Sequence, residues 1–177
     1  MRSRYRIKMD FNSYFIASTI VDWTPLLFNN DLFTILSDSL KYCQKEKALR
    51  LYGYVILPNH FHLIIGHEQS KEIPYIVRDM KKFTSKAISK YLKNLQSYRN
   101  LPWLKPFYAG KNNTIWQAGY HPKAIFNETV FIEKINYIHN NPVKLGFVEK
   151  PEDWKYTSAR NYILEDHSMM SLDTHLL

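Results

Sequence analysis

The spacing of apolar positions changes along the chain, and each change marks an element. Tyr14 to Val21 is rich in β-branched and aromatic residues and predicts a first strand. Pro25 and the cluster Asn29-Asn30-Asp31 end it. From about Asp31 to Lys47, Leu32, Ile35, Leu36 and Leu40 recur at helical spacing. Leu51 to Leu57 predicts a second strand and His60 to Gly66 a third, joined as an antiparallel hairpin by the short Pro58-Asn59 turn. Pro74 suits the first turn of a helix running to about Leu95, with Ile76, Met80, Phe83, Ala87 and Tyr91 along one side. Residues 96–113, which hold Pro102, Pro106 and Gly110, read as a loop. Thr114 to Tyr120 predicts the last strand. Asn127 is placed to cap a third helix that carries Phe131, Ile135 and Ile138 inward and ends near Pro142.

Strand, helix, two strands, helix, strand, helix is an α+β order, and it suits an antiparallel sheet with helices on one face. The 177 residues suffice for one domain, read as 1–150, followed by a docked C-terminal extension over 151–177. The 45% apolar content supports a real core. No apolar run approaches the ~18 residues of a membrane span, so no membrane partner is expected. Cys43 is the one cysteine, which excludes an internal disulfide and a cysteine-built zinc site. With no convincing secretory cleavage signal, a cytoplasmic location is the expectation.

Charge narrows the function. The net charge is +8, and the segment 71–111 carries ten Lys or Arg against Glu72 and Asp79. An excess confined to one segment points to a polyanion-facing surface. Arg78, Lys82, Lys86 and Lys90 follow at four-residue steps, so the second helix should present a basic stripe to a phosphate backbone.

The chemistry centres on Leu57-Pro-Asn-His-Phe-His-Leu-Ile-Ile-Gly66. Residues two apart on a strand share a face, so His60 and His62 project together while Phe61 points away. Two imidazoles on a rigid strand make half of a metal site. On the third helix Tyr137 and Asn141, four apart, share a face.

The block Tyr54-Val-Ile-Leu-Pro-Asn-His-Phe-His-Leu-Ile64 resembles the His-hydrophobic-His motif of the single-tyrosine transposases, in particular the REP-associated tyrosine transposase branch. Trp116-Gln-Ala-Gly-Tyr-His121 and Tyr137-Ile-His-Asn-Asn-Pro-Val-Lys-Leu-Gly-Phe-Val148 resemble further blocks of that family in the same order. The resemblance implies a ferredoxin-like, RRM-like sheet with the His pair on a central strand. It also implies that Tyr137 is the nucleophile and that Asn141 joins His60 and His62 as a metal ligand. The ion expected is Mg²⁺ or Mn²⁺, although two imidazoles and an amide also suit Zn²⁺. The implied substrate is single-stranded or hairpin DNA, cleaved through a 5′-phosphotyrosine, with monomer and homodimer both open. Relatives commonly carry an acidic residue and then an arginine after the Tyr120-His121 pair, where this chain reads Pro122-Lys-Ala-Ile-Phe126. Two other functions fit the same residues less fully: a catalytically silent single-strand binding module, and a metal phosphoesterase that uses water. Tyr120 is the alternative nucleophile.

Overall fold

A computed structural model of the chain describes residues 13–95, 101–109 and 114–173. The predicted loop at 96–113 is therefore described only at 101–109, where Pro102–Phe107 forms a 3₁₀ turn. In chain order the elements are β1 (Ser13–Thr19), α1 (Asn30–Glu46), β2 (Arg50–Ile56), β3 (His60–Gly66), α2 (Ile73–Asn94), β4 (Lys123–Ile125), α3 (Glu128–Lys144) and α4 (Ala159–Leu164). The strands form one antiparallel sheet in the order β2-β3-β1-β4. Two βαβ units interleave in that order, which is the ferredoxin-like arrangement, and β3 is central.

The expectation of helices on one face holds for α1 and α2 only. Leu32, Leu36 and Leu40 of α1 and Ile76, Val77 and Met80 of α2 share a core with Phe61, Leu63 and Ile65. Phe131, Ile135 and Ile138 of α3 share a second core with Tyr52, Val55 and Ile64, on the opposite side of the sheet. Every residue of β3 is buried. A near-continuous apolar strand, rather than an alternating one, is the signature of a sheet covered on both sides.

Two boundaries and one core position also change. Thr114 to Tyr120 is not a strand: it makes one bridge, Ile20↔Trp116, and the edge strand begins at Lys123. From Ile20↔Trp116 to Phe15↔Lys123, five steps on β1 face seven on the other chain. The surplus bulges at Gly119 and His121, both at positive φ, and breaks the ladder. On α2, Phe83 turns out 59% exposed, and Thr84 takes the core position instead. Thr84 is satisfied there by donating to the Met80 carbonyl and accepting from Trp116 Nε1. Finally, α3 continues past Pro142 to Lys144. It stops where Gly146 turns to φ +74°, with Phe147 N–H on the Pro142 carbonyl and Gly146 N–H on Val143, a Schellman closure.

The C-terminal segment docks on β2. Thr157 bridges Val55, and Ser158 accepts from the Tyr54 N–H through Oγ while its own N–H donates to the Tyr54 carbonyl. The Asp173 carboxylate accepts from Leu51 N–H.

One close approach seats α3. The register of β2 against β3 skips between Leu51 and Gly53, so Tyr52 and Gly53 together span one step of β3. A Cβ added at Gly53 would lie 2.3 Å from Ile135 Cδ1, so the end of that side chain would have to move. Gly53→Ala should therefore destabilise the protein by roughly 1–3 kcal/mol in urea denaturation. Ile135→Val removes the obstructing carbon and should recover part of that loss in the double variant, a non-additivity that independent sites would not show.

Candidate active site

The Pro58-Asn59 turn does more than reverse the chain. Its backbone carbonyls accept from Leu27 N–H and Ile20 N–H, and Leu57 N–H donates to the His60 carbonyl. This latches the start of β3 to the segment after β1. His60 and His62 then face α3 side by side, with ring centroids 4.9 Å apart and each residue 7% exposed. Asn59 fixes the tautomer of His60. Its Nδ2 donates to the Trp23 carbonyl at 3.2 Å, so its Oδ1 is the atom facing His60 Nδ1 at 2.6 Å. An oxygen there can only accept, so Nδ1 carries the proton and Nε2 keeps its lone pair.

From α3, Tyr137 and Asn141 arrive on that same face. The Tyr137 ring stands edge-on to His62 at 5.2 Å and to Phe15 at 5.9 Å, and the residue is 42% exposed. Asn141 is buried, with its amide close enough to His60 to influence that imidazole. The structure thus brings together four of the residues singled out in the sequence: His60, His62, Tyr137 and Asn141.

Electrostatics keep both imidazoles neutral. Burial, reinforced by the neighbouring His60, pushes His62 down to about 3. Burial also lowers His60, against the opposing pull of the Asn141 amide. Neutral imidazoles are the form that ligates metal. His62 Nδ1 is buried without a hydrogen-bond partner among the described residues, an unusual cost for a folded chain. Among the described residues no three His, Cys, Asp or Glu side chains gather into a metal cluster, so a third protein donor beside the pair must be of another kind. The Asn141 amide is the buried polar group that α3 brings to this face.

The other predicted residues lie elsewhere. Arg78, Lys82, Lys86 and Lys90 are exposed on α2, which packs on the sheet face opposite the His pair, and Arg78 is paired with Asp79. Tyr120 packs toward the α1–α2 core, away from His62. His139 points away from Tyr137 into the C-terminal segment, where Nε2 and Ser158 Oγ share a hydrogen bond at 2.9 Å. Sequence reading passed over a group beside Tyr137: a cleft of about 410 Å³ lined by Phe15, Ala17, His62, His121, Lys123, Lys134 and Tyr137. Lys134 lies one helical turn before Tyr137, a spacing that was readable. Lys144, two turns on, holds its ammonium 5.7 Å from the Tyr137 ring centre.

With this geometry in view, comparison with known proteins is decisive. The sequence profile of IS200-like transposases matches residues 25–141, most of the chain. The chain belongs to the IS200-like transposase family. Its members are enzymes that act on DNA. Within it, the chain is 29% identical over 150 residues to a protein of Haemophilus influenzae assigned as a REP-associated tyrosine transposase, covering 82% of this chain and 78% of that one. It is 24% identical over 127 residues to the REP-associated tyrosine transposase of Escherichia coli K12, covering 71% of this chain and 64% of that one. The fold matches the structure of a REP-associated tyrosine transposase bound to a REP hairpin, with a TM-score of 0.66 at 19% identity, over all of this chain and 94% of the other. No described helix is long and apolar enough to cross a membrane.

The depressed histidines set a pH dependence for the metal-free protein. His62 and His139 both sit near 3 when folded, against about 6.5 in an unfolded chain. The unfolded state binds more protons between those values, so stability is complete above pH 6.5 and is lost as pH falls toward 3. Urea titrations from pH 7 to 5 should show a decline steepening toward about 1.4 kcal/mol per pH unit for each histidine. Stability that does not change over that range would contradict their buried, neutral state.

Proposed function

We propose that the chain is a metal-dependent single-strand DNA endonuclease and strand transferase, acting on single-stranded or hairpin DNA through a covalent phosphotyrosine. The observation that carries this reading is the placement of the Tyr137 ring 5.2 Å from His62, with Asn141 buried one turn further along the same helix. A nucleophile and a would-be ligand set converge from a helix and a strand far apart in sequence. The structure neighbour bound to a REP hairpin supports the substrate class.

In this reading His60, His62 and Asn141 hold the ion. Two neutral imidazoles, an unpartnered ring nitrogen on His62 and a nearby amide fit a divalent cation. A bound Mg²⁺ or Mn²⁺ would polarise the scissile phosphate and offset its developing charge. The chain's own residues do the rest. The Tyr137 oxygen attacks phosphorus, the bond to the 3′ oxygen breaks, and the phosphate stays on Tyr137 as a 5′-phosphotyrosine with a free 3′-OH. The linkage keeps the phosphodiester energy, so a second 3′-OH can reverse the step and join a new strand. Lys123, Lys134 and Lys144 place positive charge around the nucleophile for the phosphates on either side. His62 and Tyr137 meet within one chain here. The Arg78–Lys90 stripe stands off this face and would serve the DNA beyond the cleft, such as a hairpin stem.

Denaturing gels of labelled single-stranded DNA incubated with Mn²⁺ test the reading. A protein–DNA adduct is expected, and Tyr137→Phe should abolish it while binding survives. No cleavage would favour the silent binding module, and cleavage without an adduct the water-using phosphoesterase. Asn141→Ala should raise the Mn²⁺ needed for half-maximal adduct by about 10-fold. A residue that only stabilises the helix would instead lower the melting temperature and leave the Mn²⁺ titration alone. For the stripe, Lys82→Ala with Lys86→Ala should flatten the log–log salt dependence of binding by roughly one to one and a half. An unchanged slope assigns those lysines to solvent.

A further inference from the structure

We infer that Trp23 is a stacking platform for an unpaired nucleobase beside the scissile phosphate. The inference rests on the single-strand DNA reading above and adds to it a recognition residue. Trp23 is 59% exposed, yet it is not a loose surface side chain. Asp22 and Trp23 adopt φ of 56° and 54° in succession, a left-handed backbone that non-glycine residues seldom hold. The surroundings over-determine it. Ile20 before the turn and Leu26 and Leu27 after it are fully buried. Trp23 N–H donates to the Ile20 carbonyl, Thr24 N–H to Val21, and Asn59 Nδ2 to the Trp23 carbonyl. Strain held this firmly keeps a large apolar ring out in solvent, where burial alone would not put it.

The ring's position gives it a role. Trp23 meets His60 edge-on at 5.7 Å. The sequence of contacts Trp23, His60, His62, Tyr137 runs across the active face in steps of 5.7, 4.9 and 5.2 Å. Trp23 therefore marks one end of the site, and the nucleophile with Lys123 and Lys134 marks the other. Asp22, next to Trp23 in the turn, is exposed, and its carboxylate repels phosphate. What suits an exposed indole beside a carboxylate is the uncharged face of a base, and every base has one. The lysine-lined end takes backbone, and the indole end takes a base.

The test is an abasic scan by fluorescence anisotropy, in EDTA so that no cleavage occurs. The full-length protein and its Trp23→Ala and Trp23→Phe variants are titrated onto labelled single strands, each lacking one base in turn. Trp23→Ala should weaken binding of intact DNA about 10-fold, and Trp23→Phe, which keeps an aromatic plate, should stay within about 2-fold. One abasic position within a few nucleotides of the cleaved bond should cost the parent protein that same factor and cost Trp23→Ala nothing. Matching abasic profiles in the parent and Trp23→Ala would overturn the inference, as would undiminished binding of intact DNA by Trp23→Ala. Adduct formation with Mn²⁺ is scored separately. An adduct with matching profiles removes Trp23 from recognition and leaves the covalent reading standing. A coupled position without any adduct does the reverse.

Discussion

The site depends on how closely α3 lies against β2. Gly53 leaves room for the end of the Ile135 side chain where a Cβ at that position would meet it, at a step where the strand is already bulged. Phe131 and Ile138 bury on either side of that contact. Tyr137 and Asn141 are carried on the same helix, so their reach to the His pair is fixed by the depth of this packing. A rigid helix set on a rigid sheet is the kind of support that a reacting group needs, since small misplacements are costly.

The two sheet faces divide the work. The face toward α1 and α2 is the larger core and gathers most of the buried apolar residues. The face toward α3 has a smaller core and gives part of its area to His60, His62 and Asn141, all buried and polar. Such groups cost stability unless they are partnered. His60 is partnered by Asn59, whereas His62 Nδ1 has no hydrogen-bond partner among the described residues. Sites that violate the ordinary rules of burial are where function is expected. The strained Asp22-Trp23 turn is a second such place, and it borders the same face.

Much of this was legible in the sequence. Strong periodicity placed α1, β2, β3, α2 and most of α3 to within a residue or two, and the His-Phe-His alternation placed both imidazoles on one face. The failures have physical causes. Thr114–Tyr120 has the composition of a strand, but the ladder breaks where Gly119 and His121 take positive φ, which composition does not reveal. Thr84 is polar and was passed over for the core, although backbone and indole hydrogen bonds satisfy it there. Pro142 suggested a helix end, and the helix runs on to the closure set by Gly146. The basic stripe on α2 was correctly spaced, but spacing does not say which side of a sheet a helix will cover. For the same reason the lysines near Tyr137 went unnoticed: Lys123 and Lys134 meet only when β4 and α3 come together.

The central claim is that α3 presents Tyr137, and not Tyr120, to the DNA held at the His pair. The most direct measurement is mass-spectrometric mapping of the adduct trapped with single-stranded DNA and Mn²⁺. After nuclease and trypsin digestion, the nucleotide should reside on the fragment 135–144, in which Tyr137 is the sole tyrosine. A nucleotide found instead on the fragment containing Tyr120 would contradict the account.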